Sequence, residues 1–196
     1  MKLFQNETQN ELARPSRLTI LKSLVQVSVS REAIDYIVDV LNTSTLIENL
    51  EKVSYGMDEN FFATLNGNEG IDLPGGFSTL CLDNGVHTQS ITRTTTWSSN
   101  EEQCGSKKFR HWICIYGTED LFSIVGQPGI VANKFMPEYD FGAVDCLLER
   151  MHNRSYGIDV PPREEIKLNY YKGLRHVRYH KARMENGGKR PTKFKC

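Results

Sequence analysis

The chain has 196 residues, of which 39% are apolar and 10% are aromatic. This length and composition are typical of a folded domain with a hydrophobic core, and they exclude disorder of the whole chain. Lys and Arg together number 24, as do Asp and Glu, so no global field attracts nucleic acid or an anionic membrane. The zero net charge conceals a split, because residues 159–196 carry 11 basic side chains and only 4 acidic ones.

No segment of the sequence predicts a membrane span or a cleaved signal. The longest stretch without a charged side chain, Leu121–Asn133, has 13 residues and contains Gly and Pro, whereas a spanning helix needs about 20 apolar residues. The N-terminus lacks the apolar run of a signal peptide. Five cysteines and three Asn-x-Ser/Thr sequons, at Asn6, Asn42 and Asn153, nevertheless favour a secretory compartment.

The first third of the chain predicts one strand followed by helices. Leu18–Val29 ends in alternating β-branched residues, which are typical of a strand. Ser30 then stands where a helix cap is expected, before apolar residues at helical spacing. Three helices are predicted in this region: one after Ser30, a short one over Leu46–Lys52, and Glu59–Leu65, which Asp58 is expected to cap and which holds Glu59 in its first turn.

The middle of the chain predicts loops, one clear strand and two helices. Repeated Gly and Pro residues between positions 66 and 102 indicate a loop-rich region. Trp112–Tyr116 is the clearest strand. A short helix over Glu119–Ile124 follows, and Asp140 is expected to cap a longer helix that ends near Met151. Residues 185–196 are interpreted as the end of a solvated basic tail.

The residues alone offer little recognisable chemistry. No metal-ligand spacing, phosphate-binding glycine loop or nucleophilic serine motif appears in the sequence. An acid at a helix start, Glu59, and cations near two strand ends, Arg110 or His111 and then Lys134, stand out. Each has an ordinary structural explanation, because a carboxylate stabilises a helix N-terminus and a lysine stem covers apolar surface.

Two further features are equally open on residues alone. Cys104 and Cys114 are ten positions apart, which suits either two buried thiols or a disulfide-closed loop. Trp97 is compatible with an ordinary place in the core. Only the order of these features along the chain favours a particular function.

Several short blocks occur in an order that one enzyme family shares. The blocks are Val27–Glu32, Asp58–Leu65, Pro74-Gly75, Cys104-Gly105, Arg110–Gly117, Glu119–Leu121, Ala132–Phe135 and Cys146-Leu147. From about Leu18 to about Met151 the sequence therefore resembles the C-terminal part of the core-2/I-branching β-1,6-N-acetylglucosaminyltransferases. The number of ordered blocks makes this resemblance more specific than any single motif.

The resemblance implies a fold and a division of the chain. The expected fold is α/β, the C-terminal part of a GT-A-like glycosyltransferase domain, with a mixed sheet flanked by helices and many loops. Residues 1–17 are then an irregular N-terminal segment, residues 18–157 a partial catalytic domain, and residues 158–196 a basic C-terminal tail.

The resemblance also implies roles for the charged residues. Glu59 matches the catalytic base of the family, and Lys134 matches the lysine that meets the nucleotide diphosphate. Counting from Cys104 puts Arg110 at the phosphate-binding arginine, whereas counting back from Cys114 puts His111 there. Arg110 is favoured because a guanidinium stays charged and grips a phosphate through two N–H groups.

Three other positions match family residues. Cys104 and Cys114 match a family disulfide, and Trp97 matches a tryptophan that stacks on the acceptor. Cys146 matches a cysteine whose family partner lies upstream of this sequence, so we expect it to be unpaired.

The resemblance implies an inverting transferase that needs no metal and no cofactor. It would move N-acetylglucosamine from UDP-N-acetylglucosamine to a glycan acceptor on a glycoprotein, on the lumenal side of the Golgi membrane. No nucleic-acid partner is expected, and membrane contact is expected only through an anchor absent from this sequence. Because the family's stem and the half holding most uridine contacts have no counterpart here, we expect these 196 residues to be inactive by themselves.

Two alternatives stay open. A peptide O-xylosyltransferase would share the Asp-Glu-x-Phe-Phe block at residues 58–62. A non-catalytic remnant that binds glycans or a partner protein would share the fold without the activity.

Overall fold

The computed structural model describes residues 18–86, 88, 91–158, 168–191 and 193–196. They form two compact units. The helical unit comprises the described residues up to 88 together with those from 168 onward, and the hairpin unit comprises residues 91–158. The predicted segment 1–17, with its sequon at Asn6, lies outside the described residues. No helix in the described ranges is long and apolar enough to cross a membrane.

Short helices and very short strands make up the regular structure. The helices are α1 (Arg31–Asp39), α2 (Ser44–Leu50), α3 (Met57–Gly67), α4 (Thr79–Asp83), α5 (Leu121–Val125), α6 (Phe141–Tyr156), α7 (Leu168–Gly173) and α8 (Arg175–Glu185). The strands are β1 (Arg93–Thr94), β2 (Phe109–Arg110), β3 (Ile113–Cys114) and β4 (Val131–Ala132). Two 3₁₀ helices, Ser98–Gln103 and Thr118–Asp120, complete the set. The loop-rich α/β character is confirmed.

The helical unit is built on the predicted α1. The Ser30 side chain accepts a hydrogen bond from the Ala33 N–H, as expected of a helix cap. One face of the helix is buried through Ala33 and Ile37. The core around this face also contains Leu41, Leu46, Leu50, Leu65, Ile71 and Leu73. The predicted helices after Ser30 and near residue 46 are therefore confirmed, and they pack together by apolar burial.

The predicted strand over Leu18–Val29 is wrong, because this segment pairs with a helix rather than with another strand. Its backbone is hydrogen bonded by groups of α3: the Thr19 N–H to Asn68 Oδ1 at 2.9 Å, the Leu21 N–H to Thr64 Oγ1 at 3.0 Å, and the Ser23 N–H to the Glu59 carbonyl at 2.9 Å. Asn68 and Asn60 donate back to the carbonyls of Thr19 and Leu21. The alternating sequence thus gives an extended chain whose polar groups are satisfied by a helix.

The C-terminal segment departs from the expected solvated tail. Tyr179 of α8 is buried with Phe77, and Phe194 packs edge-on against both rings. A disulfide joins Cys81 to Cys196. The positive charge of this segment is met by acidic residues upstream, since Arg183 and Arg190 lie 3.0 Å and 2.8 Å from the Asp72 carboxylate. The described C-terminal residues therefore belong to the helical unit.

The hairpin unit contains two separate pairs of strands. β1 pairs with β4 in parallel, with Arg93 opposite Val131. β2 pairs with β3 in antiparallel register, with Arg110 opposite Ile113. The predicted strand Trp112–Tyr116 is thus limited to two residues, and the mixed pairing occurs as two small sheets in the described ranges.

The longest helix, α6, begins as predicted. The Asp140 carboxylate accepts hydrogen bonds from the Thr118 N–H at 2.8 Å and from the Ala143 N–H at 3.0 Å. These hydrogen bonds, of which the one from the Thr118 N–H has the largest effect, lower the pKa of Asp140 below its usual value. The cap therefore favours the ionised carboxylate and ties α6 to the 3₁₀ helix before it. Cys146 on α6 is an exposed free thiol, as expected.

We predict that removing the Cys81–Cys196 disulfide lowers the free energy of unfolding by about 2–5 kcal/mol, because the bond closes a long loop in the unfolded chain. Denaturant titration of the Cys81→Ala/Cys196→Ala variant measures the change. Cys146→Ala is the matched control, since it removes a thiol without breaking a bond. An unchanged midpoint for the double variant would show that the disulfide does not hold the C-terminal segment.

Candidate functional site

Glu59 lies in the first turn of α3, where the sequence predicts it, but Asp58 does not cap this helix. The cap is Gly56, whose φ of 78° is left-handed, and α3 begins at Met57. Asp58 instead lies inside the first turn, where its carboxylate accepts a hydrogen bond from the Glu59 N–H at 3.0 Å. A glycine is suited to this position because side chains disfavour positive φ. The helix therefore starts before the acid that we expected to cap it.

The Glu59 carboxylate is mostly buried and is paired with a lysine. Its Oε2 lies 2.9 Å from the Lys22 Nζ, and the Glu59 side chain is 17% exposed against 63% for Lys22. Hydrogen bonding and charge attraction from Glu59 raise the pKa of Lys22 above its usual value. A Cβ at Gly56 would lie 3.2 Å from Glu59 Oε2. Lys22 and the backbone of the cap thus border the Oε2 side of the carboxylate.

The hairpin unit brings the two predicted cations, Arg110 and Lys134, to one place. The Lys134 Nζ donates a hydrogen bond to the Arg110 carbonyl at 3.2 Å. The backbone of Lys134 is itself bonded to β3 and its extension, through the Cys114 carbonyl at 3.4 Å and the Tyr116 N–H at 2.9 Å. The Arg110 guanidinium is exposed and contacts the Met136 sulfur at 3.8 Å. The Lys134 ammonium therefore lies against the backbone of Arg110, although the two residues are far apart in sequence.

His111 and Trp112 form the tip of the hairpin between β2 and β3. Both have positive φ, 52° and 64°, which is the conformation of a type I′ two-residue turn. Both side chains are exposed. Trp97 lies alongside, because it forms a β-bridge with Ile113 while the Ser98 N–H donates to the Trp112 carbonyl at 2.8 Å. The predicted acceptor-stacking residue is therefore adjacent to the hairpin tip, and it is 36% exposed.

The predicted disulfide between Cys104 and Cys114 is present, and both residues are fully buried. The Asp120 carboxylate, also buried, closes the same loop by accepting hydrogen bonds from three backbone N–H groups. The donors are Gly105 at 2.5 Å, Ser106 at 3.2 Å and Gly117 at 3.0 Å. The sequence analysis missed this role for Asp120. Asp120 lies three residues after Gly117, the spacing at which an acidic side chain accepts a hydrogen bond from the backbone at the start of a helix. This spacing is visible in the sequence and could have indicated the role.

The predicted glycosylation sites Asn42 and Asn153 lie on other elements than the charged residues described above. Asn42 precedes α2, and its side-chain oxygen accepts a hydrogen bond from the Ser44 N–H at 3.3 Å. Asn153 lies in the last turn of α6. Among the residues that the structure describes, no three His, Cys, Asp or Glu side chains come together as a metal site would require.

The comparisons with known proteins give the family. Residues 1–125 match the family described as Branch: Core-2/I-Branching enzyme. Because this match covers more than half of the sequence, the chain belongs to the core-2/I-branching enzyme family.

Individual relatives agree with this match. The rat β-1,3-galactosyl-O-glycosyl-glycoprotein β-1,6-N-acetylglucosaminyltransferase 3 is 28% identical over 156 residues, which are 74% of this chain and 35% of that protein. The human N-acetyllactosaminide β-1,6-N-acetylglucosaminyl-transferase is 29% identical over 143 residues, 72% of this chain and 33% of its own length. The mouse β-1,3-galactosyl-O-glycosyl-glycoprotein β-1,6-N-acetylglucosaminyltransferase 4 is 30% identical over 161 residues, 79% of this chain and 34% of its own length. The matched part of the chain spans about a third of the length of these relatives.

We predict that Asp120→Ala destabilises the hairpin unit by about 1.5–3 kcal/mol, because three backbone N–H groups, of which that of Gly117 is buried, lose their charged acceptor. Thermal unfolding followed by circular dichroism measures the effect. Glu119→Ala is the matched control, since Glu119 is the exposed neighbouring acid. Equal melting temperatures for the two variants would contradict the structural role given to Asp120.

Proposed function

We propose that this chain is part of an inverting glycosyltransferase that transfers N-acetylglucosamine from UDP-N-acetylglucosamine to a glycan acceptor on a glycoprotein. The observation that carries the proposal is the contact between Lys134 and the Arg110 backbone at 3.2 Å. It brings the Lys134 ammonium to the backbone of the hairpin that carries Arg110, in a chain whose family is that of branching transferases. The names of the relatives support N-acetylglucosamine as the transferred sugar and a glycan as the acceptor.

In this proposal Glu59 is the catalytic base. Its carboxylate accepts the proton of the acceptor hydroxyl while that oxygen forms a bond to C1 of the donor sugar. The bond between C1 and the phosphate oxygen breaks, and its electron pair leaves with UDP. Attack from the face opposite the leaving group inverts the configuration at C1, so one carboxylate is sufficient for the reaction.

The departing UDP gains negative charge, and in this proposal Lys134 and Arg110 neutralise it. Positive groups that are already in place before the reaction stabilise such charge without a cost of reorganisation. Their fixed placement comes from the Cys104–Cys114 disulfide and from the backbone bonds of Lys134. Arg110 is preferred to His111 because a guanidinium stays charged at neutral pH and binds a phosphate through two N–H groups. Trp97, beside the hairpin tip, is proposed to stack on a sugar of the acceptor.

The proposed location is the lumenal side of the Golgi membrane. Two disulfides in the described residues support an oxidising compartment. Asn6, Asn42 and Asn153 are proposed glycosylation sites.

We predict that Glu59→Gln lowers the transfer rate by at least about 100-fold, since an amide cannot take the proton. The measurement is radiolabelled transfer from UDP-N-acetylglucosamine to a galactosyl glycan, in the full-length protein that the complete transcript encodes. Glu32→Gln is the matched control, because Glu32 is also in the first turn of a helix and is exposed. Undiminished transfer by Glu59→Gln would remove Glu59 as the base, and transfer of xylose to a serine peptide instead would favour the xylosyltransferase alternative.

We predict that Lys134→Ala and Arg110→Ala each weaken UDP binding by about 10- to 100-fold, the equivalent of losing one hydrogen bond between charged groups. Isothermal titration calorimetry with UDP measures this affinity. Lys108→Ala is the matched control, as an exposed lysine of the same unit. His111→Ala should have a smaller effect than Arg110→Ala, and the reverse order would move the phosphate role to His111. Absence of UDP binding by the full-length protein would favour a non-catalytic remnant.

A further inference from the structure

We propose that Lys22 is a positioning residue that holds the Glu59 carboxylate in the orientation from which it accepts the acceptor proton. This inference rests on the proposed role of Glu59 as the base. Lys22 contacts one carboxylate oxygen, Oε2, at 2.9 Å. A carboxylate has a second oxygen with its own lone pairs, so the pairing leaves Glu59 able to accept a hydrogen bond from a sugar hydroxyl.

The backbone on both sides of Lys22 is fixed against α3. The Leu21 N–H donates to Thr64 Oγ1 at 3.0 Å, and its carbonyl accepts from the Asn60 side chain at 3.0 Å. The Ser23 N–H donates to the carbonyl of Glu59 itself at 2.9 Å. The backbone of Lys22 is therefore held directly beside the first turn of α3. From this position the Lys22 side chain reaches the Glu59 carboxylate.

The energetics of the contact favour positioning over a role in stability. The Lys22 side chain is 63% exposed, and ion pairs as exposed as this contribute little to folding. The contact still restricts the rotamers that the Glu59 side chain adopts. A misplacement of about 1 Å at a reacting group is able to cost 100-fold in rate. Loss of Lys22 should consequently alter turnover more than folding.

The surroundings of the pair support this assignment. Gly56 leaves room at Oε2, because a Cβ there would come within 3.2 Å of the oxygen and 3.9 Å of the Lys22 Nζ. The hydrogen bond and the charge of Glu59 raise the pKa of Lys22, in agreement with the short contact between the two side chains.

The test compares Lys22→Met and Lys22→Arg in the full-length protein, with UDP-N-acetylglucosamine and a galactosyl glycan as substrates. We expect Lys22→Met to lower kcat by about tenfold, with the KM for the donor and the melting temperature close to those of the unmodified protein. Lys22→Arg should recover most of kcat, because a guanidinium also bonds to a carboxylate oxygen. Lys52→Met is the matched control, since Lys52 is an exposed lysine of the same unit with a single contact to Asn49.

The outcomes separate this inference from the proposed function. If Glu59→Gln is inactive while Lys22→Met keeps the full kcat, Lys22 does not position the base and only this inference fails. If Lys22→Met and Lys22→Arg lose kcat and melting temperature together, the pair has a structural role and the inference is also overturned. If Glu59→Gln transfers normally, the assignment of the base fails and the role of Lys22 fails with it.

Discussion

Hydrogen bonds from backbone amides to a few side-chain oxygens fix the irregular segments that carry the candidate functional residues. Each strand in the described part of the chain has only two residues, so most backbone donors outside the helices need another partner. In the hairpin unit the buried Asp120 carboxylate takes three of them. In the helical unit Thr64 and Asn68 do the same for the extended segment beside α3. Because each oxygen serves a particular donor, the positions of the functional side chains depend on a few polar residues.

This constraint explains how the candidate site is assembled within each unit. Asp120 and the Cys104–Cys114 disulfide fix the loop that leads into β2, and the hairpin then carries Arg110 to the Lys134 side chain. In the helical unit the extended segment places Lys22 on Glu59. Neither arrangement requires a large sheet. Both put a charged group on backbone that is tied at several points, which is what catalysis by fixed charges needs.

Features that depend on neighbouring residues in the sequence could be predicted, whereas features that depend on residues far apart in the sequence could not. The Ser30 and Asp140 caps depend on residues within one helical turn, and both are confirmed. The Cys104–Cys114 disulfide was available through the family resemblance. The Cys81–Cys196 disulfide joins positions 115 apart, and nothing near either cysteine indicates the partner. The basic C-terminal segment was interpreted as solvated because its acidic partner Asp72 lies far away in sequence.

The same distinction applies to the site. Glu59, Arg110 and Lys134 are predicted as site residues because family motifs surround them, whereas the hydrogen bond from the Lys134 ammonium to the Arg110 carbonyl came only from the structure. Lys22 has no motif of its own, and its pairing with Glu59 depends on an extended segment that the alternating valines led us to predict as a strand. The polar side chains of Thr64 and Asn68 bind the backbone of that segment beside α3. The spacing of apolar residues in the sequence does not indicate such hydrogen bonds.

A crystal structure of the full-length protein with UDP and a galactosyl acceptor would show whether the proposed base and cations meet the substrates. We expect the diphosphate within hydrogen-bonding distance of the Lys134 ammonium and the Arg110 guanidinium. We also expect the Glu59 carboxylate to accept a hydrogen bond from the acceptor hydroxyl that attacks the donor. A complex in which the diphosphate lies away from Lys134 and Arg110, or in which Glu59 is on a different face from the acceptor, would contradict the proposed function.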